Sequence, residues 1–224
     1  LNQKKQLLEL IPNSFYELYG ITEGFMTILD KTDAKRKMGS VGCCTPFYNI
    51  RICNDKGDDL NQGEVGEIVG KGPLTMPGYY KRPNQTKKIL RDGWLFTGDL
   101  GYLDEDGFLF LVGRKKDMII TGGVNVYPQD IEEVIMKHQS VAEAAVFGVF
   151  DEKWGETPVA ALILKSGEKN TEIEMEDWIN SNVYAKYQRV SKVIIKKDFP
   201  RNVAGKILKR VMQEKLNKGA ILTN

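Results

Sequence analysis

The pattern of apolar residues changes at residues 113–117, and this change constrains the fold more than any other feature of the sequence. From 39 to 113 the apolar segments are short and are separated by glycine-containing turns, which is typical of antiparallel strands. From 114 onward, apolar residues at helical spacing alternate with strand-like segments. We therefore predict an α+β protein with two domains, 1–113 and 114–224. The first is an antiparallel, β-barrel-like subdomain, and the second is a small α+β domain.

Turn and capping residues mark individual elements in both halves. Asp104-Glu105-Asp106-Gly107 predicts a hairpin between two apolar segments. Pro128 suits the first turn of a helix, and Thr171 with Glu174 predicts a capping box at the start of another. A last helix is predicted to begin at Lys206. Its expected apolar face carries Ile207, Leu208, Val211, Met212 and Leu216.

The composition excludes several classes of protein. The 224 residues contain 32 Lys and Arg against 30 Asp and Glu. This balance argues against a basic nucleic-acid-binding tail and against an acidic disordered chain. No apolar run approaches the roughly 20 residues of a membrane span. The 22 glycines exceed the usual share of about 7%, and they predict tight turns or backbone that approaches a ligand.

Cysteine and histidine are scarce, which narrows the possible chemistry. Cys43, Cys44 and Cys53 are an odd number without paired spacing, which argues against a disulfide framework or a zinc site. They fit a reducing compartment, and we expect a cytoplasmic location. His138 is the only histidine, so a Ser-His-Asp triad or a two-histidine zinc site would depend on it. Its apolar neighbours at helical spacing favour a structural role instead.

Two segments of the first half combine residue types that suit a nucleotide. In Tyr19-Gly20-Ile21-Thr22-Glu23-Gly24, an aromatic ring could stack on a base and a hydroxyl could bind a phosphate oxygen. The carboxylate there could hold Mg²⁺. In Gly93–Gly101, Asp99 lies between Gly98 and Gly101. Its carboxylate could accept hydrogen bonds from a ribose diol. Each segment alone is equally compatible with a surface turn.

Two further segments carry cations. Gly113-Arg114-Lys115-Lys116-Asp117 lies at the predicted domain boundary, where Arg114 could reach a nucleotide and a hinge could lie. Lys206 follows Gly205 in a loop, and an ammonium group at a helix N-terminus suits an anion. The alternatives are a charged linker for the first segment and an ordinary surface lysine for the second.

Taken together and in this order, the segments resemble the adenylate-forming superfamily. That family contains acyl-CoA synthetases, adenylation domains of peptide synthetases, and firefly luciferase. The resemblance extends over about residues 15 to 210. It rests on the sequences at 19–23, 76–83, 93–99, 113–117, 122–128 and 205–207. It implies activation of a carboxylate by ATP to an acyl-adenylate with release of pyrophosphate, followed by attack of a thiol, usually that of coenzyme A.

The resemblance implies roles for the residues of the first motif. Tyr19 would stack on the adenine, with Gly20 in the same nucleotide-binding turn. Thr22 would contact the phosphates, and Glu23 would hold Mg²⁺. Thr22 and Glu23 are therefore expected to be catalytic together with Lys206, which would bridge the carboxylate and α-phosphate oxygens as negative charge develops.

The resemblance also implies roles for the remaining motifs. Asp99 and Arg114 would bind the ribose hydroxyls. Lys116 matches the hinge position about which a mobile C-terminal domain rotates, so that Lys206 enters the site in one orientation and leaves it in the other. Gly122 and Gly123 would line the path of the pantetheine arm of coenzyme A. The expected cosubstrates and cofactor are therefore ATP, coenzyme A and Mg²⁺.

The sequence at 122–132, Gly-Gly-Val-Asn-Val-Tyr-Pro-Gln-Asp-Ile-Glu, is most similar to acyl-CoA synthetases. A fatty acid is the first expected substrate, with aryl acids next. The family's phosphate loop and two larger N-terminal subdomains are absent. We therefore expect a C-terminal piece that needs those subdomains and does not adenylate unaided. A stand-alone nucleotide-binding module without catalysis is the alternative. Asn202 stands where the family commonly has Thr.

Overall fold

The computed structural model describes residues 2–217, with side chains described from residue 4 onward. Contacts between residues divide the chain into two compact units, Leu1–Lys115 and Lys116–Asn224. Helices and strands occur in both units, so the predicted α+β class is confirmed. None of the helices within residues 2–217 combines the length and the apolar character that crossing a membrane requires.

The first unit consists mainly of strands. In chain order its elements are α1 (Asn2–Leu10), β1 (Glu17–Ile21), β2 (Phe25–Leu29), β3 (Cys43–Cys44), β4 (Asn49–Cys53), β5 (Gly66–Lys71), α2 (Pro83–Ile89), β6 (Leu90–Arg91), β7 (Trp94–Leu103) and β8 (Leu109–Arg114). The predicted hairpin at Asp104–Gly107 is confirmed, because it joins β7 to β8. Strand β1 includes Tyr19 and Gly20 of the first motif.

The strands of the first unit form two open antiparallel sheets. One has the order β1-β2-β3, and the other has the order β4-β5-β7-β6 with β8 also paired to β7. Because β6 and β8 pair with different stretches of β7, β4 remains at the opposite edge of the sheet. Neither sheet closes on itself within the described part of the chain, so the expected barrel-like form is not found.

The contact of Phe25 with Gly70 joins the two sheets of the first unit. Phe25 of β2 is completely buried, and it packs with Ile52, Ile68 and Leu95 of the larger sheet. A Cβ atom on Gly70 would lie 2.1 Å from Cδ2 of the Phe25 ring. Glycine is therefore required at this position of β5. The packing fixes the turn between β1 and β2 relative to β7 and β8.

A β-bulge interrupts the pairing of β5 with β7. Glu67 pairs with Leu100 and Val69 pairs with Phe96, so 97–99 contains extra residues opposite Ile68. Within the bulge, Gly98 has a φ of 72°, a backbone conformation that glycine adopts without strain. Bulges of this kind change the direction of side chains and often lie beside functional sites. This bulge contains Asp99.

The second unit alternates strands and helices. In chain order its elements are β9 (Ile119–Thr121), β10 (Val124–Val126), α3 (Pro128–Ile135), β11 (Val141–Asp151), β12 (Gly155–Leu164), α4 (Glu172–Asn182), β13 (Lys192–Ile195) and α5 (Lys209–Asn217). Short 3₁₀ turns lie at Lys115–Asp117 and Lys186–Gln188. The sheet order is β10-β9-β12-β11, and β13 pairs with β12 in parallel.

Both faces of β11 and β12 are buried, which explains their nearly continuous apolar sequences. One face packs with α3 and α4, through Ile131, Ile135, Met175 and Ile179. The other face packs with α5 through Met212. The predicted capping box begins α4, since the Thr171 hydroxyl accepts the N–H of Glu174, and the Glu174 carboxylate accepts the N–H of Thr171.

The last helix begins at Lys209, so the prediction that Lys206 begins it is wrong, and Ile207 and Leu208 also precede it. Asn202 Oδ1 instead accepts the backbone N–H groups of Ala204 and Lys206, at 3.0 and 2.9 Å. The side-chain amide thereby closes a loop that the apolar spacing alone does not distinguish from a first helical turn.

The prediction of a structural role for His138 is confirmed. His138 follows α3, and its Nδ1 accepts the backbone N–H of Ser140 at 3.2 Å. Its ring packs edge-to-face against Trp178, with the ring centroids 4.7 Å apart. Both contacts are those of a packed side chain.

Candidate functional site

Tyr19, Asp99 and Arg114 come together in the first unit. The Tyr19 hydroxyl donates a 2.7 Å hydrogen bond to Oδ2 of Asp99. Arg114 Nε lies 3.2 Å from Oδ1 of the same carboxylate. Asp99 and Arg114 are also direct cross-strand partners on β7 and β8. The structure thus joins three of the predicted nucleotide-binding residues through the carboxylate of Asp99, whose side chain is 12% exposed.

The environment of Tyr19 keeps its hydroxyl protonated. Burial raises the pKa of this hydroxyl well above its ordinary value, and the hydrogen bond to Asp99 raises it further. The ring lies edge-on to Phe25, with centroids 6.5 Å apart. Tyr19 is therefore a fixed donor to Asp99, while Arg114 supplies the compensating positive charge that a buried carboxylate needs.

Glu23 lies in the turn between β1 and β2 and is held by two hydroxyl groups. The Thr22 hydroxyl donates to Oε2 at 2.9 Å, and the Tyr79 hydroxyl donates to Oε1 at 2.6 Å. The hydrogen bond from Tyr79 is the main reason that the pKa of the Glu23 carboxyl is lowered. The carboxylate is therefore ionised at neutral pH.

Close backbone contacts fix the position of this turn. Gly24 has a φ of 99°, and a Cβ atom there would lie 1.8 Å from the carbonyl oxygen of Leu74. The backbone N–H of Met76 donates to the carbonyl oxygen of Glu23 at 2.9 Å. Gly20, on β1, approaches the carbonyl oxygen of Phe25, which would lie 3.0 Å from an added Cβ atom. The turn tolerates little displacement.

Sequence reasoning did not select Tyr79 or Glu67. Tyr79 lies in the segment 76–83, and the family resemblance of that segment implies no role for any single residue. Glu67 Oε1 accepts the N–H of Gly98 at 3.1 Å, and its Oε2 accepts a hydrogen bond from Lys115 Nζ at 2.8 Å. A glutamate in a strand sequence gives no sign of such contacts, because they depend on the bulge in β7.

The remaining predicted residues lie on separate segments of the second unit. Lys116 lies in the 3₁₀ turn Lys115–Asp117. Gly122 and Gly123 form the turn between β9 and β10, with φ values of 56° and 81°. The Gly122 N–H donates to the carbonyl oxygen of Trp154 at 2.8 Å, and the Trp154 ring would lie 3.0 Å from a Cβ atom on Gly122.

Lys206 is held in its loop by its backbone. Its carbonyl oxygen accepts the N–H of Asn202 at 3.0 Å, and Arg201 pairs with Ile207 in an isolated β-bridge. The loop is thus a small hairpin ahead of α5. Asn202 supplies both a backbone donor and a side-chain acceptor to it, which gives a physical role to the residue that replaces the family's common threonine.

A metal ion at the first-unit site would need ligands from a substrate. Among residues 2–217, no three or more His, Cys, Asp or Glu side chains are grouped so that they could hold a metal ion. Glu23 provides a single ionised carboxylate, which is an oxygen ligand of the kind that Mg²⁺ prefers. Mg²⁺ is commonly held by one or two carboxylates together with substrate phosphates. The residues present fit that kind of site.

Comparison with protein families gives two matches. Residues 2–80 match the family described as AMP-binding enzyme, and residues 130–206 match the AMP-binding enzyme C-terminal domain. A long-chain-fatty-acid–CoA ligase of Bacillus subtilis is 38% identical over 94% of this chain. A 2-succinylbenzoate–CoA ligase of Geobacillus kaustophilus is 40% identical over 91% of this chain. The chain spans 38% and 41% of these two relatives.

Solved structures of adenylate-forming enzymes also match this chain. ATP-bound MatB from Rhodopseudomonas palustris matches with a TM-score of 0.84 and 37% identity, over 92% of this chain and 41% of that protein. The o-succinylbenzoate CoA synthetase of Bacillus subtilis, in complex with its acyl-adenylate intermediate, matches with a TM-score of 0.83 and 36% identity. That alignment covers 93% of this chain and 43% of the synthetase.

Proposed function

This chain belongs to the AMP-binding enzymes, the adenylate-forming family, and on that premise we propose that it supplies the nucleotide-binding residues of an acid–CoA ligase. In the first reaction, a carboxylate oxygen of the acid attacks the α-phosphorus of ATP, and pyrophosphate leaves. In the second, the sulfur of coenzyme A attacks the acyl carbon, and AMP leaves. Because the chain spans about two fifths of its relatives' length, the complete reaction belongs to the full-length protein.

The Asp99 carboxylate is the observation that carries this proposal. It is nearly buried, it is held by Tyr19 and Arg114, and it retains lone pairs that can accept hydrogen bonds from a vicinal diol. In the proposed complex, Asp99 and Arg114 bind the ribose hydroxyls while the ring of Tyr19 contacts the adenine. Gly20, in the adjacent backbone, leaves room for the nucleotide.

Thr22 and Glu23 act on the phosphates in the proposed mechanism. The Thr22 hydroxyl contacts a phosphate oxygen, and the ionised Glu23 carboxylate holds Mg²⁺. When bound, Mg²⁺ neutralises charge on the phosphates and orients the pyrophosphate leaving group. The hydrogen bonds from Thr22 and Tyr79 support this assignment, because they hold the carboxylate in one orientation and in its charged form.

The second unit contributes the residues whose proposed roles change between the two reactions. Lys206 stabilises the negative charge that develops on the carboxylate and α-phosphate oxygens. In the proposed mechanism this unit turns about Lys116, in the way that lids and domains move in other enzymes. Gly122 and Gly123 then leave space for the pantetheine arm. Nothing in the described part of the chain lies within 4 Å of the Cβ position of Gly123, which supports this last assignment.

The acyl substrate is proposed at the level of a class. One relative acts on long-chain fatty acids and another on 2-succinylbenzoate. We infer a hydrophobic carboxylic acid, with medium- and long-chain fatty acids first and aryl acids second. A cytoplasmic location is part of the proposal. The free thiols of Cys43, Cys44 and Cys53 are consistent with it.

The test is carboxylate-dependent exchange of pyrophosphate into ATP by the full-length protein, with a panel of fatty and aryl acids. Exchange above the no-acid background is expected for at least one acid and should depend on Mg²⁺. Asp99→Asn is expected to abolish exchange or to reduce it by about 100-fold, the effect of losing charged hydrogen bonds in a site. Asp58→Asn, on an exposed turn, is the matched control and should exchange normally.

Three outcomes would contradict the proposal or a part of it. Nucleotide binding without exchange for any acid would favour the stand-alone binding module. Exchange that is unaffected by Asp99→Asn would show that the assigned contact between Asp99 and the ribose is wrong. The 224-residue chain by itself is expected to show no exchange, and exchange by this chain alone would contradict that part of the proposal.

A further inference from the structure

We propose that Glu67 is a positioning residue for the ribose site, because its carboxylate fixes the residue before Asp99 and the residue after Arg114. This inference rests on the proposed function, since it concerns how the ribose-binding pair is held. Oε1 accepts the backbone N–H of Gly98 at 3.1 Å. Oε2 accepts a hydrogen bond from Lys115 Nζ at 2.8 Å.

The bulge in β7 explains why a side chain is needed here. In a regular antiparallel ladder, alternate residues of β7 would exchange backbone hydrogen bonds with β5, but the register shift interrupts this pattern at 97–99. Side chains make hydrogen bonds there instead. The Thr97 hydroxyl donates to the carbonyl oxygen of Ile68 at 2.8 Å and accepts the N–H of Asp99 at 3.1 Å, while Glu67 accepts the N–H of Gly98. The bulge is therefore held by Thr97 and Glu67 together.

The contact with Lys115 extends this support to β8. Lys115 directly follows Arg114, and its ammonium group also lies 2.9 Å from Asp55. The Glu67 side chain is 11% exposed and that of Asp55 is 89% exposed. The pairing with Glu67 is therefore the less screened of the two. It raises the pKa of Lys115 and keeps the charge in place.

One carboxylate thus holds both strands at the positions next to the pair that is proposed to bind the ribose. Asp99 and Arg114 face each other across β7 and β8. Gly98 and Lys115 are the positions next to them, and both bond to Glu67. Loss of this carboxylate should let the bulge relax, so that Asp99 and Arg114 no longer occupy fixed positions. The expected consequence is weaker recognition of the ribose hydroxyls rather than weaker recognition of phosphate.

The experiment compares the binding of ATP with that of 2′,3′-dideoxy-ATP, measured by isothermal titration of the full-length protein. The wild-type protein is expected to prefer ATP by about tenfold or more, because hydrogen bonds to charged groups give preferences of this size. Glu67→Ala is expected to reduce this preference to about twofold or less. The affinity for the dideoxy analogue should remain nearly unchanged.

Two further variants separate positioning from stability. Lys115→Ala removes the ion pair at a residue whose side chain is 40% exposed, so it should fold even if Glu67→Ala does not. It is expected to lower the preference for ATP by a smaller factor. Asp104→Ala is the matched control. Asp104 also accepts a backbone N–H and pairs with a lysine, Lys37, but it lies at the opposite end of the same hairpin. The Asp104→Ala variant should prefer ATP over the dideoxy analogue by the same factor as the wild-type protein.

The outcomes distinguish this inference from the proposed function. If the wild-type protein binds ATP and the dideoxy analogue equally, the proposed ribose role of Asp99 and Arg114 is wrong. The positioning role of Glu67 is then wrong as well. If the wild-type protein discriminates and both Glu67→Ala and Lys115→Ala discriminate equally well, the proposed function stands and the inference about Glu67 is overturned. The inference is also overturned if Asp104→Ala loses the preference to the same extent.

Discussion

The hydroxyl of Tyr79 donates a 2.6 Å hydrogen bond to the carboxylate of Glu23, across a separation of 56 positions in the sequence. The second oxygen of the same carboxylate accepts the hydroxyl of Thr22. Glu23 therefore has little rotational freedom, although it lies in a turn. Its orientation depends on a distant residue that contributes no charge.

Removal of the Tyr79 hydroxyl should weaken the use of Mg²⁺. In Tyr79→Phe, Glu23 loses the contact that holds Oε1, so a higher Mg²⁺ concentration should be needed for half-maximal pyrophosphate exchange. An increase of about tenfold is expected for a hydrogen bond to a charged group, with recovery of the rate at saturating Mg²⁺. Tyr80→Phe is the control, because Tyr80 is 85% exposed. An unchanged Mg²⁺ dependence in Tyr79→Phe would contradict the prediction.

Gly24 and Gly63 illustrate two different costs of replacing a glycine. Both have positive φ, but a Cβ atom on Gly24 would clash with the backbone of Leu74, and one on Gly63 would meet nothing within 4 Å. Gly63→Ala should cost about 1 kcal/mol of unfolding free energy from backbone strain. Gly24→Ala should cost more than about 3 kcal/mol or prevent folding. Urea unfolding measures both, and equal losses would show that the clash is relieved elsewhere.

Phe47 should lower the free energy of unfolding relative to glycine at the same position. Its φ is 70°, and its side chain is 88% exposed, so it has backbone strain with little burial to offset it. Phe47→Gly relieves about 1–2 kcal/mol of strain but increases the entropy of the unfolded chain. We expect a net gain of about 0.5–1 kcal/mol in urea unfolding.

Phe47→Ala is the control, because it removes the ring but keeps the Cβ atom that causes the strain. It should not stabilise the protein. If alanine stabilises as much as glycine does, the exposed ring rather than the backbone is responsible.

Cys44 should react slowly with alkylating agents in the native protein. Burial raises the pKa of its thiol to about 11 from an ordinary value of 9.0. Less thiolate is therefore present at about pH 8, and iodoacetamide should react about 10- to 100-fold more slowly than with the urea-unfolded chain. A Cys43→Ser variant removes the neighbouring thiol, which simplifies detection by mass spectrometry.

The same shift has a consequence for stability. Because the folded-state pKa of Cys44 lies above the unfolded one, its contribution to stability is fully present below about pH 9 and is lost as the pH rises to about 11. Cys44→Ala should therefore show a flatter loss of unfolding free energy over that interval than the protein with Cys44. Identical pH profiles would contradict the prediction.

Local signals in the sequence predicted local structure well. The Thr171–Glu174 capping box and the hairpin turn at Asp104–Gly107 are both found, because the interactions that form them lie within a few residues. The position of Lys206 shows the limit. Apolar spacing from Ile207 onward fits a helix, but the Asn202 side chain forms a loop there instead, and only the three-dimensional structure distinguishes the two.

Residues that act through distant contacts were not predictable in this way. The motif at 19–24 predicts a nucleotide-binding turn, and the structure joins Tyr19 of that motif to Asp99 of a second motif. Tyr79 and Glu67 have no such signal. Each contacts its target only because strands far apart in the sequence lie side by side, and in the case of Glu67 because β7 contains a bulge that shifts the register.

The ring of Phe25 occupies the space that a side chain at Gly70 would fill. The two positions therefore share one volume, which can hold a single large side chain but not two. Substitutions at these positions should be tolerated only in pairs, with a larger residue on β5 accompanied by a smaller one on β2. Among related sequences, the two positions are expected to vary together, because a side chain at Gly70 beside the Phe25 ring would separate the sheets that carry Glu23 and Asp99.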